Sequence, residues 1–409
     1  MSRIAKAERI KKTGRLSGRL GLAIALLVAG AAPARGFNID FTYEPGITDD
    51  QITAVEMAGL AWETYLKDDI NLDMHVGRAS DFDLEELDLG TDILGVAIPG
   101  FAEKINYTTA LNNLVKDKKS NYDKIALNNL TGDNNSYDMM VNSNVTSENK
   151  LQITYANAMA GSQTTKYNNK LHGAIVFNDS SNINWNYDDE VAEDEADLVS
   201  TIAHEIGHNL GFVSGLSTQG QENEFRSSLD LYRYSEESLA EGAIEFTKGK
   251  ETFFCIDCAD GSGTAIPGAN GIDEGASHWF EGVSGLMEGH NLFGERLEAE
   301  KIDLIAMDVI GYDLTGKSKV DWAVLRTQAE GKVDDAVIEE RVTDVEAMID
   351  ESGFTPARPA ACPPFCGQEA SAGEAAQAKA VPEPGMTTGL LGLGLVGVIS
   401  SLFKRGKKG

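Results

Sequence analysis

Basic side chains are in short supply. The 409 residues hold 35 Lys and Arg against 64 Asp and Glu, a formal net charge of −29. Eight of those basic residues crowd into positions 1–36 beside a single acidic one, so the remainder carries −36. A surface that acidic repels nucleic acid and anionic membranes and excludes both as partners of the main body. It suits an exported protein kept soluble by its charge. Acidic and Asn-rich stretches such as Asp81–Asp92 and Asp257–Asp273 could also offer oxygen ligands to calcium (Ca2+), although neither has the spacing of a calcium loop.

Cysteine is scarcer still. Cys255, Cys258, Cys362 and Cys366 make four, an even count that in an exported chain allows three disulfide connectivities. Cys255-Ile-Asp-Cys258 could instead be half of a zinc ribbon, but the only other close pair sits in a Pro-rich tail. Two local disulfides are therefore expected. Long apolar runs are confined to the ends of the chain. Leu20–Ala32 follows a basic leader (Arg3, Lys6, Arg9, Lys11, Lys12, Arg15, Arg19), is too short to span a bilayer comfortably, and leads into the small-x-small site Ala32-Pro33-Ala34. Residues 1–36 thus read as an export signal, and no sizeable propeptide is expected between it and the first strand.

Between the ends the pattern alternates strand and helix, and 42% hydrophobic residues suit a folded chain. Phe37–Tyr43, Asn71–Val76, Ile93–Ile98, Leu151–Ala160 and Gly173–Asn178 read as strands. Thr48-Asp-Asp predicts a capped helix over Ile52–Leu66, and Tyr122–Leu130 and Lys301–Met307 predict two more. Seven acids within Asp188–Asp197 predict the start of a helix carrying the apolar stripe Val199, Ile202, Ala203, Ile206 and Leu210. Val320–Ile349 reads as amphipathic, with Val333, Val337, Val345 and Met348 on one side. Alternating strands and helices imply an α/β fold with a mostly parallel sheet.

Histidine is scarce as well, with six in the whole chain. Two stand in His204-Glu205-Ile206-Gly207-His208. On a helix, residues i and i+4 share a face, so both imidazoles reach one metal, and neutral imidazole suits zinc. Glu205, beside them, is placed to take a proton from a zinc-bound water. A catalytic zinc needs a third protein ligand. The motif continues to Gly211 and Ser214, and a serine hydroxyl is a poor zinc ligand. His278, in Ser277-His278-Trp279 and followed by Met287, is the candidate; His290 is its rival. His172, before an apolar strand, and His75, far from the motif, read as structural.

These motifs resemble the metzincin metallopeptidases. Gly211 matches the glycine that ends the metzincin zinc helix, whereas Ser214 replaces the histidine expected three residues later. The late His278-Trp279 and the methionine Met287 resemble the leishmanolysin branch, in which the third ligand follows a long insertion and a methionine turn lies under the metal. The segment Lys301–Asp313 is similar to the end of that catalytic domain. The resemblance implies a metzincin-like α/β domain over 37–315 with a twisted, mostly parallel sheet, one antiparallel edge strand and an active-site helix. By metzincin chain order, Leu151–Ala160 would be that edge, where an extended peptide could add beside the zinc. The implied activity is that of a secreted zinc-dependent endopeptidase: His204, His208 and His278 hold one Zn2+, and Glu205 activates the bound water. Two other readings stay open, a zinc hydrolase of non-peptide amides and a non-catalytic surface or matrix protein.

Residues 316–352 read as a helical extension and 353–380 as a flexible Pro/Ala/Gly linker. The end combines Val381-Pro-Glu-Pro384, the uncharged run Met386–Phe403 and the basic Lys404–Lys408. This order resembles the PEP-CTERM sorting signal of Gram-negative bacteria. It implies transient membrane anchoring by the apolar helix, processing by an exosortase-type enzyme, and delivery to the cell surface or extracellular matrix. An ordinary C-terminal anchor is the alternative.

Overall fold

The computed structural model describes residues 36–82, 93–130, 132–133, 135–162, 164–188, 190–216, 226–258, 276–279, 283–289 and 293–352. The chain divides into two compact units, 1–361 and 362–409, and every described residue belongs to the first. The leader, the linker and the apolar tail lie outside the described residues, as do Cys362 and Cys366. Among the described residues no helix is long and apolar enough to cross a membrane.

The architecture is mixed α/β. Strand β1 (Asn38–Tyr43) alternates buried Ile39, Phe41 and Tyr43 with more exposed polar residues. Helix α1 (Asp49–Tyr65) follows, started by a reciprocal capping box between Thr48 and Gln51. Strands β2 (Asn71–Arg78), β3 (Gly95–Pro99), β4 (Gly173–Phe177) and β5 (Val337–Ile338) complete a sheet of order β5-β1-β2-β4-β3. The pairs β5/β1, β1/β2 and β2/β4 are parallel, while β3 runs antiparallel to β4 at the edge.

β4 is buried throughout because both faces of the sheet are covered. Ile175 and Phe177 join the large core on one side, Ala174 and Val176 a smaller cluster on the other. The large core packs α1 and the long helix α5 (Leu198–Leu210) against the sheet. Helices α2 (Tyr107–Asp117), α3 (Asn121–Asn129) and α4 (Tyr155–Ser162) precede β4 and α5 in the chain.

The antiparallel edge is thus β3, not Leu151–Ala160. That segment contributes a two-residue strand, Lys150–Leu151, paired with Ile105–Asn106, and then becomes α4. Its run of small residues, Tyr-Ala-Asn-Ala-Met-Ala-Gly, favours a helix, and Thr154 Oγ1 accepts the Asn157 N–H at 3.1 Å to start one. The small side chains also let α4 lie close: a methyl placed on Gly161 would sit 3.8 Å from the Gly311 Cα.

Helix α5 (Leu198–Leu210) also starts later than its acidic run suggests. Glu195 closes a turn by accepting the Ala192 N–H and an Asn186 amide, Ala196–Asp197 forms a short strand with Trp185–Asn186, and only Asp197 caps the helix. The repulsion among clustered acids is better relieved in a turn than in one helical face. All thirteen residues of α5 are buried, so its apolar stripe is one part of a helix enclosed all round.

After α6 (Lys301–Val309), the segment 316–352 is not one amphipathic helix. Asp321 caps α7 (Trp322–Glu330), which ends at Gly331; β5 joins the sheet, and α8 (Val342–Ser352) covers the far face beside β3. Val345 is fully buried there, whereas Val337 is 52% exposed. The expected helical extension is therefore packed into the same unit as the sheet.

Candidate metal centre

The C-terminal half of α5 presents His204 and His208 one turn apart. The helix stops at Gly211, whose φ of 117° is left-handed, with the Phe212 N–H bonded back to the Gly207 carbonyl. This tight stop brings the Phe212 carbonyl to 2.7 Å from His208 Nδ1. His204 Nδ1 lies 2.7 Å from the Leu286 carbonyl. A carbonyl can only accept, so both rings carry their proton on Nδ1 and turn Nε2 the other way.

Those Nε2 atoms converge. His208 Nε2 is 3.0 Å from His204 Nε2 and 3.1 Å from His278 Nε2. Three nitrogens on a tetrahedral ion at about 2.0–2.1 Å would stand roughly 3.3 Å apart, so the donor set fits zinc. Burial pushes His204 down to about 4; burial and the neighbouring His204 push His208 down to about 3, leaving both neutral as ligation requires. Sequence placed His204 and His208 on one helical face, and the fold brings His278 to them from 70 residues away. His290 lies outside the described residues.

Glu205 sits on the same helix, buried against the edge strand. Its carboxylate accepts the backbone N–H of Ala97, and burial raises the carboxyl to about 8 against that bond. A glycine at 95 is required here, because a Cβ would fall 2.9 Å from Thr201 Cγ2 and 3.1 Å from Glu205 Oε1. Gly207 serves the other side of the helix, where a Cβ would meet Met287 Sδ at 2.4 Å, so the methionine packs directly on the motif.

Three contacts whose roles no sequence motif marked hold the His278 segment. The Trp279 N–H donates to the Met287 carbonyl at 2.8 Å. Ser277 Oγ accepts the Ser214 N–H at 2.9 Å, and Ser214 Oγ in turn donates to buried Asp230 at 2.5 Å. Asp303, at the start of α6, accepts the Trp279 indole N–H at 2.6 Å. Ser214, Ser277, Trp279, Met287 and Asp303 all lie in stretches the sequence singled out, whereas Asp230 carried no signal in the chain.

Of the remaining histidines, the two described ones sit in local hydrogen-bond networks away from the motif. His75 is buried between Thr42 and Glu44, each 2.9 Å away. His172 Nδ1 accepts the Asp73 N–H at 2.8 Å. Cys255 and Cys258 are bonded to each other with Cα atoms 5.8 Å apart, which takes both thiolates out of ligand duty. Of the acidic stretches weighed for calcium, most residues lie outside the described ones. A different acidic group, Asp68, Asp117 and Asp313, gathers in the fold, and Lys119 pairs with the last two.

No family model, curated protein or solved structure matches this chain.

Proposed function

We propose that the chain is a metzincin-like, zinc-dependent endopeptidase. The observation that carries the reading is the convergence of three imidazole nitrogens, from His204, His208 and His278, beside the buried carboxyl group of Glu205. When bound, zinc supplies a Lewis acid that polarises a carbonyl and brings the pKa of water to about 7. Glu205 then acts as base and acid: it takes the proton from the attacking water and hands it to the leaving amine. The Ala97 N–H keeps the carboxylate turned toward the sheet edge. No side chain forms a covalent intermediate.

Peptides are favoured as substrates over other amides because β3 is the outer strand of its sheet and touches the base directly. An extended chain added to that edge would gain backbone hydrogen bonds and place a peptide bond next to Glu205. A binding or matrix protein would have no use for a carboxylate buried at that position. The tail fits processing by an exosortase-type enzyme and release to the cell surface or matrix of a Gram-negative bacterium.

Metal analysis of the purified protein together with casein digestion tests the reading. One zinc per chain and cleavage abolished by a chelator are expected. Absence of stoichiometric metal, or metal without hydrolysis of any protein substrate, would overturn it.

A further inference from the structure

Asp303 is fully buried, yet among the described residues every hydrogen bond it makes is accepted from an N–H group and none comes from a basic side chain. Oδ1 accepts the Trp279 indole at 2.6 Å and the Met287 backbone at 3.2 Å. Oδ2 accepts the Leu286 backbone at 2.8 Å and the Glu300 backbone at 2.7 Å. The last bond caps α6, as many aspartates do. The other three have no role in the helix.

They join two separate supports of the metal centre. Trp279 is the residue after His278, and its ring is wedged against Phe212 and Phe254, with centroids 4.9 and 5.5 Å away. Leu286 supplies the carbonyl that orients His204 through Nδ1. The same carboxylate therefore grips the limb carrying one ligand and the turn that aims another. Gly285 makes the approach feasible, since a Cβ there would stand 3.0 and 3.1 Å from the two Asp303 oxygens.

We infer that Asp303 is a positioning residue of the metal centre, tying the His278 limb to the turn that orients His204. The inference rests on the reading of the three histidines as a metal site. Asp303 touches neither the ligand nitrogens nor any reacting atom, so its effect passes through Trp279 and Leu286. The carboxylate form is needed, because four donors converge on it. The amide of Asp303→Asn would set an NH2 group against two of them. Outer partners of metal-bound histidines typically contribute 10–100-fold to metal affinity.

The test compares the full chain with Asp303→Asn, Trp279→Phe and the double variant. Zn2+ affinity is read by competition with a chromogenic chelator, ligand geometry by the absorption spectrum of the Co2+-loaded protein, and folding of the metal-free chains by circular dichroism. Asp303→Asn should bind Zn2+ about 10–100-fold more weakly and shift the Co2+ bands while keeping its fold. Trp279→Phe removes one donor and leaves the helix cap and turn bonds, so a loss below about tenfold is expected, and the double variant should lose less than the product of the two. If Asp303→Asn fails to fold, Trp279→Phe decides alone through the same two readouts. Folded variants with wild-type affinity and an unchanged Co2+ spectrum would overturn the inference. A wild-type chain that binds no Zn2+ would instead overturn the metal reading beneath it.

Discussion

The backbone N–H of Ser214 donates to Ser277 Oγ at 2.9 Å. Ser214 stands where the short metzincin motif would place its third histidine, and Ser277 is the residue before His278. The position that lacks a histidine thus holds the segment carrying the proposed third ligand. Asp230 steadies the arrangement by accepting Ser214 Oγ at 2.5 Å and the Gly215 N–H at 3.1 Å.

His278→Ala should lose zinc and hydrolysis together, because two helix histidines alone leave the ion short of a protein ligand. His290→Ala should keep both. Ser277→Ala should fall between. It leaves the buried Ser214 N–H without that acceptor, a cost of about 1–3 kcal/mol, and loosens the limb without removing a ligand. Metal titration and thermal melts of the three variants check this order; zinc retained by His278→Ala and lost by His290→Ala would move the ligand.

Glu205→Gln should retain zinc and lose activity by at least about 100-fold, the usual scale for a general base. The amide oxygen can still accept the Ala97 N–H, so the local fold should persist. Turnover near wild type in a zinc-replete variant would rule out Glu205 as the base.

Gly95→Ala should reduce turnover with zinc content unchanged. The added methyl falls 2.9 Å from Thr201 Cγ2 and 3.2 Å from Glu205 Cγ, and the β-branched Thr201 on a buried helix has little freedom to yield. Glu205 must give way instead, and small misplacements of a reacting group can cost up to about 100-fold. Steady-state kinetics with zinc content measured in parallel would show it; an unchanged kcat counts against this placement of the base.

The buried acids near α3 predict a pH effect on stability. Burial raises Asp68 to about 7, Asp117 to about 6 and Asp308 to about 7, with Asp313 adding repulsion in each case. Each binds its proton more tightly folded than unfolded, so between about 4 and about 7 their contribution to stability falls as pH rises. The depressed histidines His172, His204 and His208 act in the opposite sense, since stability they support is lost as pH falls toward about 4. They are common to wild type and Asp117→Asn, so the difference between the two isolates the acids. Asp117→Asn should melt higher at pH 7, with the advantage shrinking toward pH 4. An advantage that grows on acidification would contradict this.

How far sequence reaches is clearest at α5. Helical period alone sets His204 and His208 on one face, Glu205 beside them and Gly211 at the stop, because all four lie within a few residues and obey local geometry. The same holds for strands β1 and β2 and for the capped α1, where alternation or a polar cap marks the element, and for β4, where a short apolar run does. Local rules failed where tertiary packing or hydrogen bonding competed with pattern. Leu151–Ala160 is apolar enough for a strand, yet its small residues and the Thr154 cap make α4, and the edge passes to β3. The acidic run before α5 became a turn, because Glu195 found backbone and amide donors there. The approach of His278 to His208, and the grip of Asp303 and Ser214 on its segment, join residues up to 70 positions apart in the chain. No periodicity records such contacts. They exist only once the sheet and α5 have set where the returning chain can bury its aromatic residues and satisfy its N–H groups.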